Sequence, residues 1–372
     1  MAGYQPPFTI TNRMVGLVSE IAEKIGRLDR NKSLDMKPHL RRNNRIRSIH
    51  SSLAIEANSL PIDAVRGVID GRTVLGPEKE IQEVKNAYKA YDALGRFDPF
   101  SIDELKRLHG IMTYLTVNES GQFRHGEEGV FAGDQCIFMA PPAIRVPALM
   151  EDLFSWMKQA SKEVHPLILS SVFHYEFVFI HPFADGNGRM ARLWQTSLLC
   201  LWNPVFQYLP IESRVHAFQS EYYEAISRCH TEGSSNGFIL FMLKKISETL
   251  DLYLQQAGAV DGQISAYVRR LLDAMEYDVP YTAKEIMALL HLKSKETLRK
   301  HYIHPALEMG LIVMCDPDKP TSRNQAYVKK YIMRLYRIRD KKRQAQQIST
   351  HLPFFRIRKI SNPFLPLNQY LA

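Results

Sequence analysis

The sequence has no apolar run long enough to cross a bilayer. Its best candidate, the stretch ending VFHYEFVFI, is interrupted by His174, Glu176 and His181 before it reaches the ~18 residues a span needs. The first residues, MAGYQPPFTITNRM, have neither the basic start nor the apolar core of a secretory leader, so the expected location is cytoplasmic. Cysteine is scarce. Cys136, Cys200, Cys229 and Cys315 are the only four in 372 residues, and none forms a CxxC pair, which argues against a disulfide framework and a structural zinc site. Their apolar neighbours predict reduced, structural thiols. Internal repeats are missing, and so is any charge excess in the body of the chain. From Tyr331 onward nine Lys/Arg face one Asp, a net +8 of the total +9, which leaves +1 for residues 1–330. The tail is basic and the body near neutral, and most basic runs of this kind are solvated.

What is present is a helical pattern. Apolar residues recur at three- and four-residue spacing near 11–28, 38–57, 61–69, 80–95, 102–114, 145–160, 163–180, 187–203, 215–229 and 236–257. One hairpin strand stands out before residue 300, Gln135–Met139, closed by Pro141-Pro142. The run AGAVDGQ from Ala257 reads as a linker. Beyond it, YTAKEIMALLHLKSKETLRKHY reads as helix, turn, helix, with Thr282 and Ser294 as N-caps and a Glu in each first turn. LIVM, the polar turn DPDKPTSRNQ and AYV then form two short strands, which completes a winged-helix pattern. Lys293, Lys295, Arg299 and Lys300 on or beside its second helix, and Lys319 and Arg323 in the wing, suit DNA phosphate. Glu285 and Glu296 dilute that charge, and the same fold serves protein contacts, so the two readings stand level.

The most informative twelve residues are HPFADGNGRMAR, His181 to Arg192. Proline bars the residue before it from right-handed helical dihedrals, so the apolar helix must stop before His181-Pro182. Gly186 and Gly188 then allow turns and close approach by a ligand. Helical spacing resumes at Asn187, so the loop delivers backbone N–H groups to a helix N-terminus, a ready anion site. Arg189 and Arg192 lie in the first turns, where cations oppose the macrodipole at ~0.3–1 kcal/mol each. Two such placements point to a strongly negative ligand such as adjacent phosphates. Asp185 is a single carboxylate suited to Mg²⁺ that also binds phosphate oxygens. His181 titrates near neutrality and suits removal of a proton from an attacking hydroxyl. Phe183 is expected to turn inward and anchor the loop.

HPFADGNGRMAR resembles the signature of the Fic family, His-x-Phe-x-Asp/Glu-Gly-Asn-Gly-Arg-x-x-Arg, and meets every fixed position. GQFR (Gly121–Arg124), CIFMAPP and the run before His181 also resemble the Fic core, over roughly residues 98–203. The resemblance implies a mainly α fold, in which a Fic-type helical core with a short β-hairpin flap precedes a small winged helix-turn-helix domain. The expected divisions are 1–97, 98–257, 264–330 and a tail at 331–372. It implies an enzyme that transfers AMP from ATP to a Ser, Thr or Tyr hydroxyl of a target protein or of itself, with Mg²⁺. His181 is then the general base and Asp185 the metal ligand. Gly186, Asn187 and Gly188 line the anion hole, Arg189 and Arg192 bind phosphates, and the flap at Cys136, Ile137, Phe138 and Met139 holds the target by strand addition. Relatives with other last residues in the loop are kinases, some members transfer phosphocholine, and the intact Gly188-Arg189 pair favours AMP.

A second segment, SSLAIEANS, places Ser52 and Glu56 on one helix face at i,i+4. It resembles the family's inhibitory motif, Ser/Thr-x-x-x-Glu-Gly/Asn, whose Glu pairs with the second signature Arg and occludes the γ-phosphate. Glu56 is therefore expected to pair with Arg192. Ala57 stands where Gly or Asn is usual, with Asn58 one place later; Ala still suits a helix, so the brake is expected to survive with a different helix end. Some braked relatives use the same Glu to remove AMP, which keeps the reverse reaction among the expectations. The rival reading is an ATP-responsive DNA-binding regulator that uses the winged helix, and a kinase is the third. A second copy of the chain, DNA and an unidentified target protein are the candidate partners; no membrane partner is expected.

Overall fold

The computed structural model describes residues 4–30, 38–132, 135–261, 265–276, 279–320, 322, 325–329 and 355–359. In chain order the helices begin with α1 (Asn12–Arg30), α2 (Pro38–Ile55), α3 (Ile62–Ile69), α4 (Glu78–Asp92) and α5 (Ile102–Met112). A hairpin follows, β1 (Glu128–Ala132) and β2 (Gln135–Met139). Then come α6 (Val146–Ala160), α7 (Pro166–Ile180), α8 (Asn187–Trp202), α9 (Ile211–Ala217), α10 (Gln219–Glu232) and α11 (Asn236–Asp261). The remainder is α12 (Ala266–Ala274), β3 (Pro280–Thr282), α13 (Ala283–Leu289), α14 (Lys295–Thr297), a π-helical turn (Leu298–Ile303), α15 (His304–Glu308), β4 (Ile312–Met314), β5 (Ala326–Lys329) and β6 (Phe355–Lys359). The protein is mainly helical. No described helix is long and apolar enough to cross a membrane.

Two compact units divide the chain, each drawing on more than one stretch. The first comprises residues 1–23, 44–249 and 352–372, and the second residues 24–43 and 250–351. The first is built around α7. Nearly every residue from Leu167 to Phe177 is buried, Ser170, Ser171, His174 and Glu176 included, as expected of a helix surrounded by protein rather than half-solvated. Its polar groups are matched in place. His174 lies 2.6 Å from Gln195 Oε1 and 3.0 Å from the Tyr222 hydroxyl, and Tyr4 donates to Glu176. α8 packs on α7, with the Trp194 ring stacked on Phe173 at 6.4 Å between centroids and Gln195 bonded to His174 and Ser171, so the connection between them, residues 181–186, has both ends fixed.

α2 is held differently. Its buried residues include Asn44, Ser48, Ser51 and Ser52 beside Ile46, Ile49 and Leu53. Ser48 donates to the buried Glu212 at 2.7 Å, Ser51 meets the Ser213 hydroxyl at 3.0 Å, and Asn44 donates to the Tyr208 carbonyl at 2.9 Å. Burial raises the Glu212 carboxyl above its usual range. Hydroxyl and amide bonds therefore seat a helix whose sequence has no clean apolar face.

In the hairpin, β1 and β2 are antiparallel with an irregularity between Val130 and Phe131. The sheet order is β2-β1-β6, and β6 runs antiparallel to β1 with Glu128 opposite Lys359 and Ala132 opposite Phe355. Part of the basic tail thus forms a strand, a placement that its composition left open. β1 is also an addition to the sequence reading, because EGVFA is too short and too irregular to show alternation.

In the second unit the sheet order is β3-β5-β4, and Val268, Leu271, Ile286, Leu298, Tyr302, Ile303 and Ile312 form the core. Thr282 makes a full capping box with Glu285, whereas Ser294 caps α14 through the Thr297 amide alone, because the residue three places on is Thr and cannot reciprocate. Lys293, Lys295, Arg299 and Lys300 are exposed. Arg323 and most of the tail lie outside the described residues. Two expectations are corrected. α11 continues to Asp261, through the stretch read as a linker from Ala257, since Ala is the strongest helix former and a single Gly does not stop a helix. Cys315 is exposed rather than set in apolar surroundings, while Cys229 is buried.

Candidate active site

The loop between α7 and α8 is fixed by its own residues. His181 ends α7 with φ 51°, in the left-handed region, and its amide still donates to the Phe177 carbonyl at 3.0 Å. The halt is where Pro182 requires it. Gly186 caps α8 at φ 86°, a conformation that disfavours any side chain. A Cβ there would also stand 3.0 Å from Thr113 Cγ2. Asn187 closes the loop from both sides: its Oδ1 accepts from the Phe183 amide at 2.9 Å and its Nδ2 donates to the Phe183 carbonyl at 2.6 Å. Its side chain therefore staples the turn and is not free for a ligand; only its backbone amide is. Phe183 is fully buried and stacks on His109 at 3.7 Å between ring centroids.

The first intrahelical bond of α8 runs from the Met190 amide to the Gly186 carbonyl at 2.9 Å. The amides of Asn187, Gly188 and Arg189 precede it and point out of the helix start as donors without intrahelical partners. Gly188 is needed for another reason. A Cβ on it would lie 2.2 Å from Glu56 Oε1 and 3.1 Å from Arg192 Nη1. A carboxylate thus already rests against the first turn of α8.

His181 is buried, and its Nδ1 lies 3.3 Å from the Val178 carbonyl. A carbonyl can only accept, so Nδ1 carries the proton and Nε2 holds a lone pair. That Nε2 is buried without a hydrogen-bond partner. Burial, against the Val178 bond and with some help from Arg124, brings the imidazole pKa down to about 4. The ring is neutral at physiological pH, with its basic nitrogen unengaged.

The arginines are also unsatisfied. Arg192 Nε donates to Ser52 Oγ at 3.0 Å, and its Nη2 donates to the Ser52 carbonyl at 2.9 Å and to Glu56 Oε1 at 2.7 Å. Burial alone would lower its pKa, but the Glu56 charge more than reverses this and raises it above the ordinary guanidinium value. Arg189 Nη2 donates to Asp185 Oδ1 at 3.0 Å. Arg192 Nη1 and the Nε and Nη1 of Arg189 are buried without hydrogen bonds. Orphaned buried donors are rare in native proteins, and a bound anion is a standard reason for them.

Asp185 suits a hard cation. Its two bonds, from the Gly186 amide and from Arg189, both use Oδ1, and its side chain is 44% exposed. Among the described residues no cluster of three or more His, Cys, Asp or Glu could hold a metal alone. One carboxylate completed by phosphate oxygens and water is the usual setting for Mg²⁺, and that donor set fits.

The helix carrying Glu56 ends in a Schellman motif. The Asn58 amide donates to the Leu53 carbonyl at 3.2 Å and the Ala57 amide to that of Ala54 at 3.1 Å. Gln219 and Tyr223 bond the Ile55 carbonyl at 3.0 and 3.3 Å. Glu56 is the cap and Ala57 the left-handed residue beyond it, at φ 68°. Ala57 is therefore not a helical residue, which corrects the expectation that it suits a helix. Its position favours Gly or Asn because a Cβ there meets the carbonyl. Ala57→Gly should stabilise the fold by ~1 kcal/mol, raising Tm by about 2–4 °C in a thermal melt.

Three supporting residues escape a reading of the signature alone. His109 Nδ1 accepts from the Gly121 amide at 2.9 Å, so its Nε2 donates to the Asp185 carbonyl, also at 2.9 Å. Burial keeps that ring neutral, with a pKa of about 4. Arg124 donates to the His181 carbonyl at 2.7 Å and to the Gly126 carbonyl at 2.8 Å, while its amide donates to Pro182 at 2.9 Å. It ties the base of the hairpin to the loop. Glu83 of α4 faces Arg189. At the hairpin, Met139 is 43% exposed, and β2 has one edge unpaired among the described residues. The side chains of Cys136, Ile137 and Phe138 lie outside the description.

Residues 99–199 match the Fic/DOC family, and residues 266–328 match the C-terminal domain of filamentation induced by cAMP protein Fic-like. The chain is 42% identical to a Fic family protein from Desulfovibrio desulfuricans G20, with a TM-score of 0.65 over 88% of this chain and 98% of that one. A relative named protein adenylyltransferase Fic, from Drosophila willistoni, is 27% identical over 252 residues, 65% of this chain and 48% of the relative. Another of that name, from Nematostella vectensis, is 27% identical over 219 residues, 55% of this chain and 48% of the relative. The chain spans about half the length of the curated relatives it matches.

Proposed function

Because this chain belongs to the Fic family, we propose that it transfers AMP from ATP to a Ser, Thr or Tyr hydroxyl of a target protein or of itself, and that Glu56 restrains the transfer. One observation carries the reading. At the start of α8, unengaged amides, the orphaned donors of Arg189 and Arg192 and the free lone pair of His181 Nε2 gather around one loop. A polyphosphate satisfies the donors, and a hydroxyl satisfies the imidazole.

In the reaction, the target hydroxyl oxygen bonds to the α-phosphorus while His181 Nε2 takes its proton. The bond from the α-phosphorus to the α,β-bridging oxygen breaks, and pyrophosphate leaves. Nδ1 stays protonated on the Val178 carbonyl, which keeps the ring in the receiving tautomer. Asn187, Gly188 and Arg189 amides with the two guanidinium groups stabilise phosphoryl charge without rearranging, the usual source of most of the rate gain in such transfers. Asp185 would hold Mg²⁺, which neutralises phosphate charge when bound. The target chain adds to the edge of β2 that is unpaired among the described residues, the outer edge of β1 being taken by β6.

The restraint is a contest for one place. Glu56 lies against Gly188 and on Arg192, where a terminal phosphate needs both. Peptide mass spectrometry after incubation with ATP and Mg²⁺ should find an AMP adduct on a hydroxyl side chain; a phosphate adduct instead would make the protein a kinase. The exposed Lys293, Lys295, Arg299 and Lys300 support a second role, DNA-backbone contact, for which duplex binding by anisotropy should weaken steeply with salt.

A further inference from the structure

Both signature arginines meet a carboxylate from a helix earlier in the chain, and the reading above uses only one of these contacts. The other is Glu83. Its Oε1 lies 3.7 Å from Arg189 Nη1, within ion-pair range but too far for a hydrogen bond. The Arg189 side chain is 3% exposed and that of Glu83 13%, so the attraction is little screened by solvent. Glu83 Oε2 is engaged elsewhere and accepts from Asn58 Nδ2 at 2.9 Å. Asn58 is the residue whose amide closes the Schellman motif behind Glu56. The same Nδ2 reaches the Glu80 carbonyl at 3.2 Å, and Ser59 donates to Glu80 Oε2 from its amide at 2.7 Å and from its hydroxyl at 2.8 Å. One turn of α4 thus grips the inhibitory segment just past Glu56 and faces Arg189 with the same carboxylate.

A carboxylate has two oxygens, and here each serves a different side. We infer that Glu83 is a positioning residue. It holds the Arg189 guanidinium against the loop for a nucleotide phosphate, and through Asn58 it makes that hold depend on whether the inhibitory segment is seated. Arg189 Nη2 stands 3.6 Å from where a Gly186 Cβ would be, so the group already lies on the loop. With Asn58 in place, Glu83 is kept short of a hydrogen bond to Arg189. When the segment lifts, Glu83 is released to close on Nη1 and finish the Arg189 geometry. Displacement of Glu56 from Arg192 and completion of Arg189 then become one event. This rests on the AMP-transfer reading.

The test is a set of variants in two backgrounds, read by steady-state kinetics and by calorimetric ATP affinity. In the Glu56→Gly background, Glu83→Gln should raise KM for ATP by about fivefold or more, the lower end of ordinary coupling between sites, with kcat nearly unchanged. Glu83→Asp, which keeps the charge, should recover part of the loss. Asn58→Ala should raise AMP transfer in the otherwise unsubstituted chain, where it loosens the segment and releases Glu83, and should raise it by less once Glu56 is gone, where only the release of Glu83 remains, the non-additivity expected of coupled residues. Unchanged KM and ATP affinity in Glu83→Gln, or an equal Asn58→Ala effect in both backgrounds, would overturn the inference. An inactive Glu56→Gly chain would instead count against the function proposed above, and calorimetric ATP binding to it would still decide the part played by Glu83.

Discussion

Glu56→Gly should raise AMP transfer by about tenfold to a hundredfold. The estimate comes from the one contact removed: a hydrogen bond between charged groups in a partly buried site contributes ~1.5–3 kcal/mol, and each 1.4 kcal/mol is a factor of ten. Removal leaves Arg192 buried with two bonds to Ser52, its Nη2 keeping only the one to the Ser52 carbonyl and its Nη1 having none, so on the proposed reading the terminal phosphate gains the partner that the carboxylate had. On that reading, a phosphate takes the space opened beside Gly188. Incorporation of AMP, including into the protein itself, measures the change. Equal incorporation with and without the substitution would mean that Glu56 does not compete with the nucleotide.

His181→Ala has the opposite sign and the larger size. General-base assistance is worth about 10²–10⁴ in rate, and among the described side chains of residues 181–192 no other buried acceptor atom lacks a partner. ATP affinity should change little, because the phosphate donors lie on α8. The pH profile follows from the neutral ring. With its pKa lowered to about 4 by burial, His181 is already a base at pH 7. Its contribution is therefore present above the folded pKa and is lost only as pH falls towards 4. A rate limb near pH 6.5 in the Glu56→Gly chain would mean that the ring is solvated and ordinary.

The sequence carried the loop and its two helices well, and it did so through local chemistry. Pro182 halts α7, Gly186 takes the left-handed cap, and Asn187 restarts the helix, each acting on its own neighbours. The pairing of Glu56 with Arg192 was reached through resemblance, not spacing, since 136 residues separate them. What stayed hidden acts over long separations with no periodic trace. His109 sits at an apolar-face position of α5 beside Leu105 and Leu108, where it reads as an ordinary core histidine, yet it holds a carbonyl 76 residues away. Arg124 lies in the GQFR stretch that resembles the Fic core, but its reach of 57 residues to the His181 carbonyl left no such trace. Glu83 is one acid among several in EKEIQEVKN, and nothing in that run marks it. At Ala57 helix propensity misleads, because it says nothing about a residue just past the end, where the sign of φ decides.

A crystal structure of the Glu56→Gly chain with a non-hydrolysable ATP analogue and Mg²⁺ tests most directly whether a nucleotide is seated at the start of α8. The expected result has phosphate oxygens on the Asn187, Gly188 and Arg189 amides and on both guanidinium groups, with His181 Nε2 facing the side from which a hydroxyl would approach the α-phosphorus. Nucleotide bound away from this loop, or phosphates seated there with the His181 ring turned from the α-phosphorus, would contradict it.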